Sequence, residues 1–175
     1  MLIVNENILS DPMMIDARPT ILIIDDVRIN LMLLESILCE DYQVVSATDS
    51  RMGLMLASEK SPDLILLDIM MPEMDGYEIC KRLKLNPETK SIPVIFVSAK
   101  DTVGDELKGL EFGAVDYISK PFDIEEVIAR IESCLSIHQQ LQQSHLKTST
   151  QIIEQIQQYD LNEREVEILR LYVNG

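Results

Sequence analysis

Four short apolar runs punctuate the chain, and each gives way to polar chemistry at its C-terminal end. Ile21-Leu22-Ile23-Ile24 runs into Asp25-Asp26, and Leu64-Ile65-Leu66-Leu67 into Asp68. Val94-Ile95-Phe96-Val97 runs into Ser98, and Val115-Asp116-Tyr117-Ile118-Ser119 into Lys120-Pro121. A weaker run at Val44-Val45-Ser46 makes a fifth strand. Between the runs the apolar residues change to helical spacing. Leu31, Leu34, Ile37 and Leu38 predict a helix from about Arg28 to Cys39, and Met52, Leu54, Met55, Leu56 and Ala57 predict another. Pro72 and Gly76 bracket a loop before a helix over Tyr77–Leu83, which Asn86-Pro87 breaks. A further helix from about Asp105 to Phe112 stops at Gly113, a natural C-terminal cap. Alternating strands and helices predict an α/β fold: a five-stranded, doubly wound parallel sheet with right-handed crossovers and helices on both faces. In such a sheet, ligands bind outside the carboxyl ends of the strands. The polar run-ends therefore converge on one rim.

The last helix of this unit begins near Asp123 or Ile124 and has no evident stop. Ile124, Ile128, Ile131, Leu135, His138, Gln142, His145, Ser149, Ile152, Ile156 and Tyr159 fall on alternating four- and three-residue steps, a heptad seam with apolar ends and a polar middle. Between Leu135 and Tyr159 the only formal charges are Lys147 and Glu154, while glutamine recurs eight times. A long, coiled-coil-like helix is the preferred reading, and a partly disordered linker the alternative. A separate amphipathic helix follows, with Asn162 and Glu165 forming a capping box, Leu161, Val166, Leu169, Tyr172 and Val173 on one face, and Asn174-Gly175 as a stop. One such helix cannot bury its own apolar face, so further chain or a partner is implied. The predicted organisation is a loose leader (1–19), the α/β unit (20–137), a helical linker (138–159) and a final helix (160–175).

Composition narrows the function classes. A 175-residue chain with 46% hydrophobic and 26% charged residues can bury one core of ordinary size plus an appendage. No stretch approaches the roughly 20 apolar residues of a bilayer span, and no signal-peptide pattern opens the chain, so a cytoplasmic protein without membrane contact is expected. The formal net charge of −15 repels nucleic acid and anionic membrane. Cys39, Cys80 and Cys134 are odd in number, far apart and in predicted helices. They offer neither a disulfide framework nor a paired metal site, and are expected to be buried thiols. His138 and His145 lie seven residues apart, about 10.5 Å along one helix at 1.5 Å per residue, too far for one ion. Paired in parallel, each histidine would meet its mate, and protonation would weaken the pair.

The rim chemistry is more specific. Two unit charges ~4 Å apart repel by about 4 kcal/mol at an effective dielectric near 20, so three carboxylates persist most readily around a cation. Oxygen-only ligands select a hard ion, and Mg²⁺ binds through one or two carboxylates plus phosphate. Asp68 can then act as a nucleophile toward a phosphoryl group, with Lys120 and the Ser98 hydroxyl on its oxygens. Taken singly, each residue has a bland role, since aspartates start helices and turns and an exposed lysine is ordinarily a solvated charge. Their joint placement at four strand ends does not.

This order of motifs resembles the receiver domain of two-component response regulators: Asp25-Asp26, then Asp68 followed by Met71-Pro72 and Asp75-Gly76, then Ser98-Ala99, and Tyr117 three residues before Lys120-Pro121. The resemblance covers about Thr20 to Ile137 and implies a flavodoxin-like receiver with a long C-terminal helical extension. It implies that Asp68 accepts a phosphoryl group from a histidine kinase or phosphotransfer protein, without substrate turnover beyond self-phosphorylation from a phosphodonor and self-dephosphorylation. It further implies Mg²⁺ bound directly by Asp26, Asp68 and the Met70 backbone carbonyl, with Asp25 helping through water. Ser98 and Lys120 would hold the phosphoryl group, and Tyr117 would be the aromatic switch that turns inward as Ser98 moves. Apolar Met70 and cationic Lys100 beside the site suggest slow self-dephosphorylation. A haloacid-dehalogenase-type hydrolase uses similar groups, but Asp25-Asp26-Val27 lacks the DxD it needs at the first strand.

The stretch Leu161 to Leu171 resembles the first helix of a LuxR/FixJ-type helix-turn-helix output domain. A helix-turn-helix reads DNA through its second helix, which is not present here, so DNA contact would need residues beyond this chain. The expectation is a phosphorylation-controlled regulator that dimerises through the receiver face, the long helix or both. The alternative is a receiver adaptor whose coiled-coil arm acts through protein contacts alone.

Overall fold

The computed structural model describes residues 17–99 and 111–157. Strands β1 (Thr20–Ile24), β2 (Gln43–Ala47), β3 (Leu64–Asp68), β4 (Val94–Ser98) and β5 (Asp116–Ser119) alternate with helices α1 (Arg28–Leu38), α2 (Ser50–Lys60) and α3 (Gly76–Leu85). Helix α4 (Ile124–Gln157) follows β5. All strand pairs are parallel, and the sheet order is β2-β1-β3-β4-β5. This is the doubly wound arrangement expected from the run pattern. The chain leaves β1 outward to β2 and then returns to place β3 on the other side, so the crevice of the fold opens between the C-terminal ends of β1 and β3.

Every residue of β3 and β4 is buried, as the uninterrupted apolar runs require of central parallel strands. Successive residues face opposite sides. Leu22, Ile24, Ile65, Leu67, Val94 and Phe96 form one core with Ala57 of α2 and Ile79, Cys80 and Leu83 of α3. Ile21, Ile23, Leu64, Leu66, Ile95 and Val97 point the other way and are equally buried. Leu31, Leu34 and Leu38 give α1 its buried stripe beside β1 and β2. Burying each such side chain contributes about 1.5–3 kcal/mol, which makes the central strands a rigid base for the rim.

Capping fixes where the helices begin. The Asp49 side chain accepts from the Met52 N–H at 2.8 Å, Asp75 from Glu78 at 2.9 Å, and Asp123 from Glu125 at 2.9 Å. Helix α1 starts differently: Val27 is its N-cap and makes no side-chain cap. Gly113 adopts φ +91°, which suits its expected role as a stop, while the helix expected before it lies largely outside the described residues.

The chain divides into two compact units, Met1–Ile128 and Ala129–Gly175. In the second, α4 continues as helix to Gln157. At its start the seam is covered within this chain only in part, at Ile131 and Leu135. Ile124 is 50% exposed, and the buried line runs through Val127, Ile131 and Leu135. Four-residue steps suit an ordinary 3.6-residue helix, whereas a strict heptad demands supercoiling. Seam side chains from His145 onward, the 160–175 helix and most of the leader lie outside the described residues. No described helix is long and apolar enough to cross a membrane.

The cysteines also part from expectation in one case. Cys80 is buried and its thiol is pushed up to about 11 by burial, so it stays protonated at neutral pH. Cys134 is half-buried. Cys39 is exposed: its backbone is still helical, with its N–H on the Glu35 carbonyl, and it falls on the exposed face of Met32 and Ser36, away from the buried stripe.

Candidate functional site

The rim gathers what the run-ends promised. Oxygens of Asp25, Asp26 and Asp68 all lie within 4.8 Å of one another. Asp25 and Asp26 follow directly on β1, and Asp68 is the last residue of β3, so the two central neighbouring strands deliver all three acids to the crevice. Lys120, just beyond β5, reaches across with its Nζ 2.6 Å from Asp25 Oδ2 and 3.3 Å from Asp68 Oδ2. Its backbone N–H donates to the Ser98 carbonyl at 2.7 Å, which ties the ends of β4 and β5 together. Ser98 is 1% exposed.

The three acids are not equivalent. Asp25 Oδ1 accepts from the Val27 N–H at 2.8 Å and from Asn30 Nδ2 at 3.1 Å, and its Oδ2 accepts from Asn30 Nδ2 at 3.0 Å and from Lys120. Protein donors thus occupy both of its oxygens. Asp26 Oδ1 is buried and has no hydrogen-bond partner. From the described residues, Asp68 Oδ1 receives a long contact from the Met70 N–H, at 3.4 Å. A buried carboxylate oxygen without a donor is costly, and a cation satisfies it. The arrangement fits a hard metal ion held chiefly by Asp26 and Asp68, with Asp25 already committed to the protein.

Burial pushes the Asp68 carboxyl above its ordinary value. The Lys120 ammonium opposes that shift, the Asp25 charge adds to it, and hydrogen bonds from Met70 and Lys120 pull it back. Among the described residues one ammonium faces three acids, which leaves this part of the rim short of positive charge. A divalent cation would supply it.

Gly76 controls how closely α3 approaches. A Cβ placed there would lie 2.4 Å from the Asp68 carbonyl oxygen and 2.8 Å from the Ile69 Cα. Only glycine lets this helix start against the strand end that carries Asp68, and its N–H donates to the Ile69 carbonyl at 3.0 Å. Among the described residues, Asn30 and this role of Gly76 are what the run pattern did not single out. The signal for Asn30 was its spacing, five residues after Asp25 on the first turn of the following helix.

The other expected residues are placed as follows. Met70 is 68% exposed beside Asp68. Tyr117 is half-buried against the core on the α2–α3 side. Ser98 pairs in register with Ser119, two residues past Tyr117, so Tyr117 lies diagonally across from Ser98. Lys100 lies outside the described residues.

Comparison with known proteins agrees with this geometry. The response regulator receiver domain profile matches residues 21–132. The chain belongs to the response regulator receiver family. It is 46% identical over 114 residues to the response regulator PleD of Caulobacter vibrioides, covering 65% of this chain and 25% of PleD. It is 41% identical over 124 residues to the DNA-binding dual master transcriptional regulator RpaA of a Synechocystis strain, covering 67% of this chain and 49% of RpaA. A similar solved structure is the receiver domain of a sensor histidine kinase from Pseudomonas aeruginosa PAO1, with a magnesium ion coordinated in its active site cleft. It has a TM-score of 0.64 and 26% identity, covering 69% of this chain and 99% of that one. This receiver chain thus spans between a quarter and a half of the length of those two curated relatives.

Proposed function

We propose that this receiver is a phosphoacceptor switch, with Asp68 taking the phosphoryl group from a phosphohistidine on a histidine kinase or phosphotransfer protein. The observation that carries the reading is the Lys120 ammonium bridging Asp25 and Asp68 at 2.6 and 3.3 Å, beside an Asp26 oxygen left without a donor. An Asp68 oxygen attacks phosphorus. The phosphorus–nitrogen bond to the donor histidine breaks, and the imidazole leaves with the electron pair and takes a proton from solvent. Asp26, Asp68 and the Met70 carbonyl would hold Mg²⁺, with Asp25 acting through water. When bound, the ion would supply positive charge to offset that of the phosphoryl oxygens. Lys120 shifts from Asp25 to a phosphoryl oxygen, and the Ser98 hydroxyl donates to another. Tyr117 then follows Ser98 inward and changes the β5 face.

Incubation with Mg²⁺ and acetyl phosphate, read by intact mass, tests this. Wild type should gain one phosphoryl group and Asp68→Asn none. Labelling that survives the substitution would overturn the reading.

The output we infer is transcriptional control through a LuxR/FixJ-type domain that begins near residue 160, in a protein paired through the receiver face or the long helix. The domain type rests on the acidic amphipathic sequence at the end of the chain alone, while the regulator RpaA among its relatives supports only transcriptional control in general. The adaptor alternative is favoured by one observation: Ile137 and Leu141 are each 55% exposed on α4, one turn apart, where a helical partner can dock. Sedimentation with and without acetyl phosphate, alongside DNA binding by a version extended past Gly175, separates the two.

A further inference from the structure

Among the described residues that hydrogen-bond the three acids, Asn30 is a side chain that the phosphoacceptor reading leaves without a task. It sits in the first turn of α1 and its Nδ2 lies 3.1 Å from Asp25 Oδ1 and 3.0 Å from Asp25 Oδ2. Only the amide nitrogen can face two carboxylate oxygens, so the orientation of the side chain is fixed by chemistry. Asp25 therefore has two polar side-chain partners of opposite kind. Lys120 is charged and, at 2.6 Å, cancels the carboxylate's charge. Asn30 is neutral, and orients the carboxylate without cancelling it.

We propose that Asn30 is a positioning residue for cation binding: it holds the Asp25 carboxylate in place while Lys120 leaves it. The inference rests on the phosphoacceptor reading, in which Lys120 must exchange Asp25 for a phosphoryl oxygen. During that exchange Oδ2 loses its shortest hydrogen bond, and Oδ1 keeps only the Val27 N–H besides Asn30. A carboxylate held by one backbone donor can rotate about its side-chain bonds. With the Asn30 amide across both oxygens, it cannot turn away from the ion and its waters. Fixing the Asp25 carboxylate in this way acts on cation affinity and does not touch the reacting atoms.

The test compares wild type with Asn30→Leu, which keeps the approximate side-chain volume, and Asn30→Ala as a second variant should the first not fold. Mg²⁺ is titrated into the unphosphorylated protein by calorimetry, and acetyl phosphate labelling is followed across Mg²⁺ concentrations. The expected result is Mg²⁺ affinity lowered about tenfold, equivalent to about 1.4 kcal/mol. The Mg²⁺ concentration for half-maximal labelling should rise by the same factor, with the maximal rate within about twofold of wild type. A purely structural role would not produce that split. Unchanged affinity in a folded variant overturns the inference, as does a labelling defect that saturating Mg²⁺ fails to restore. Wild type that binds Mg²⁺ but takes no phosphoryl group sinks the phosphoacceptor reading instead, while the calorimetric comparison still judges Asn30.

Discussion

Lys120 reaches 95 residues back along the chain to set its ammonium 2.6 Å from the Asp25 carboxylate, and only then, at 3.3 Å, meets Asp68. The lysine is thus parked on a supporting acid and leaves the expected nucleophile less tightly paired. Asp25 is 2% exposed, so this pair is effectively buried. Removing one partner of a buried pair strands a charge, at a cost of about 3–5 kcal/mol. Lys120→Met should lower the stability of the metal-free protein by at least about 2 kcal/mol, since Asn30 and Val27 still support Asp25. Millimolar Mg²⁺ should restore much of it. Denaturant unfolding with and without Mg²⁺ measures both, and a variant equally unstable in either condition would contradict the account.

Asp68 gives a pH dependence of definite sign. Its carboxyl is raised in the folded state, chiefly by burial, so the fold favours the protonated form. The associated stability is fully present below the unfolded-state value and is lost as pH rises through the folded-state value. In metal-free protein at neutral pH the ionised Asp68 is therefore a net burden. Asp68→Asn should raise the thermal midpoint at pH 7, and the gain should shrink toward zero as pH falls below the ordinary carboxylate range. A gain that grows on acidification would reverse the assignment.

Gly76 permits the approach of α3 to the end of β3. Alanine there puts a methyl group 2.4 Å from the backbone oxygen of Asp68, and backbone cannot step aside as a side chain can. Gly76→Ala should cost about 2 kcal/mol or more through strain at that contact. It should also weaken Mg²⁺ binding, because the displaced segment carries the Asp68 and Met70 backbone. Unaltered unfolding and metal titration would show that the contact relaxes freely.

Met70 bears on the lifetime of the phosphorylated state. Its side chain is 68% exposed beside Asp68 and, being a thioether, is a poor group for orienting water. A slow self-dephosphorylation is expected. Met70→Asn supplies an amide that can hold the attacking water and should shorten the half-life several-fold, with little change in stability. Intact-mass decay after removal of phosphodonor gives the answer, and an unmoved half-life ends the idea.

The strands were legible because parallel central strands are buried on both faces, which writes them as unbroken runs such as Leu64 to Leu67. Their polar ends were legible too, since residues that follow such runs must emerge at one edge. Asp25, Asp26, Asp68, Ser98 and Lys120 could all be picked out on that ground. The seam along α4 was only partly so, because spacing alone does not say which of two adjacent stripes is covered. Ile124 fits the heptad, yet Val127 is the residue buried. Cys39 misled because lying in a helix does not make a residue buried: the stripe through Leu31, Leu34 and Leu38 leaves it on the exposed face with Met32 and Ser36.

What the linear order determined, then, is the sheet, its rim and the identity of the acids, because burial on both faces dictates composition run by run. The tertiary structure alone decided how those acids divide their work. Which carboxylate oxygen finds a donor depends on a few ångströms between segments far apart in the chain, so that Asn30 and Lys120 saturate Asp25 while Asp26 keeps an oxygen free for a cation.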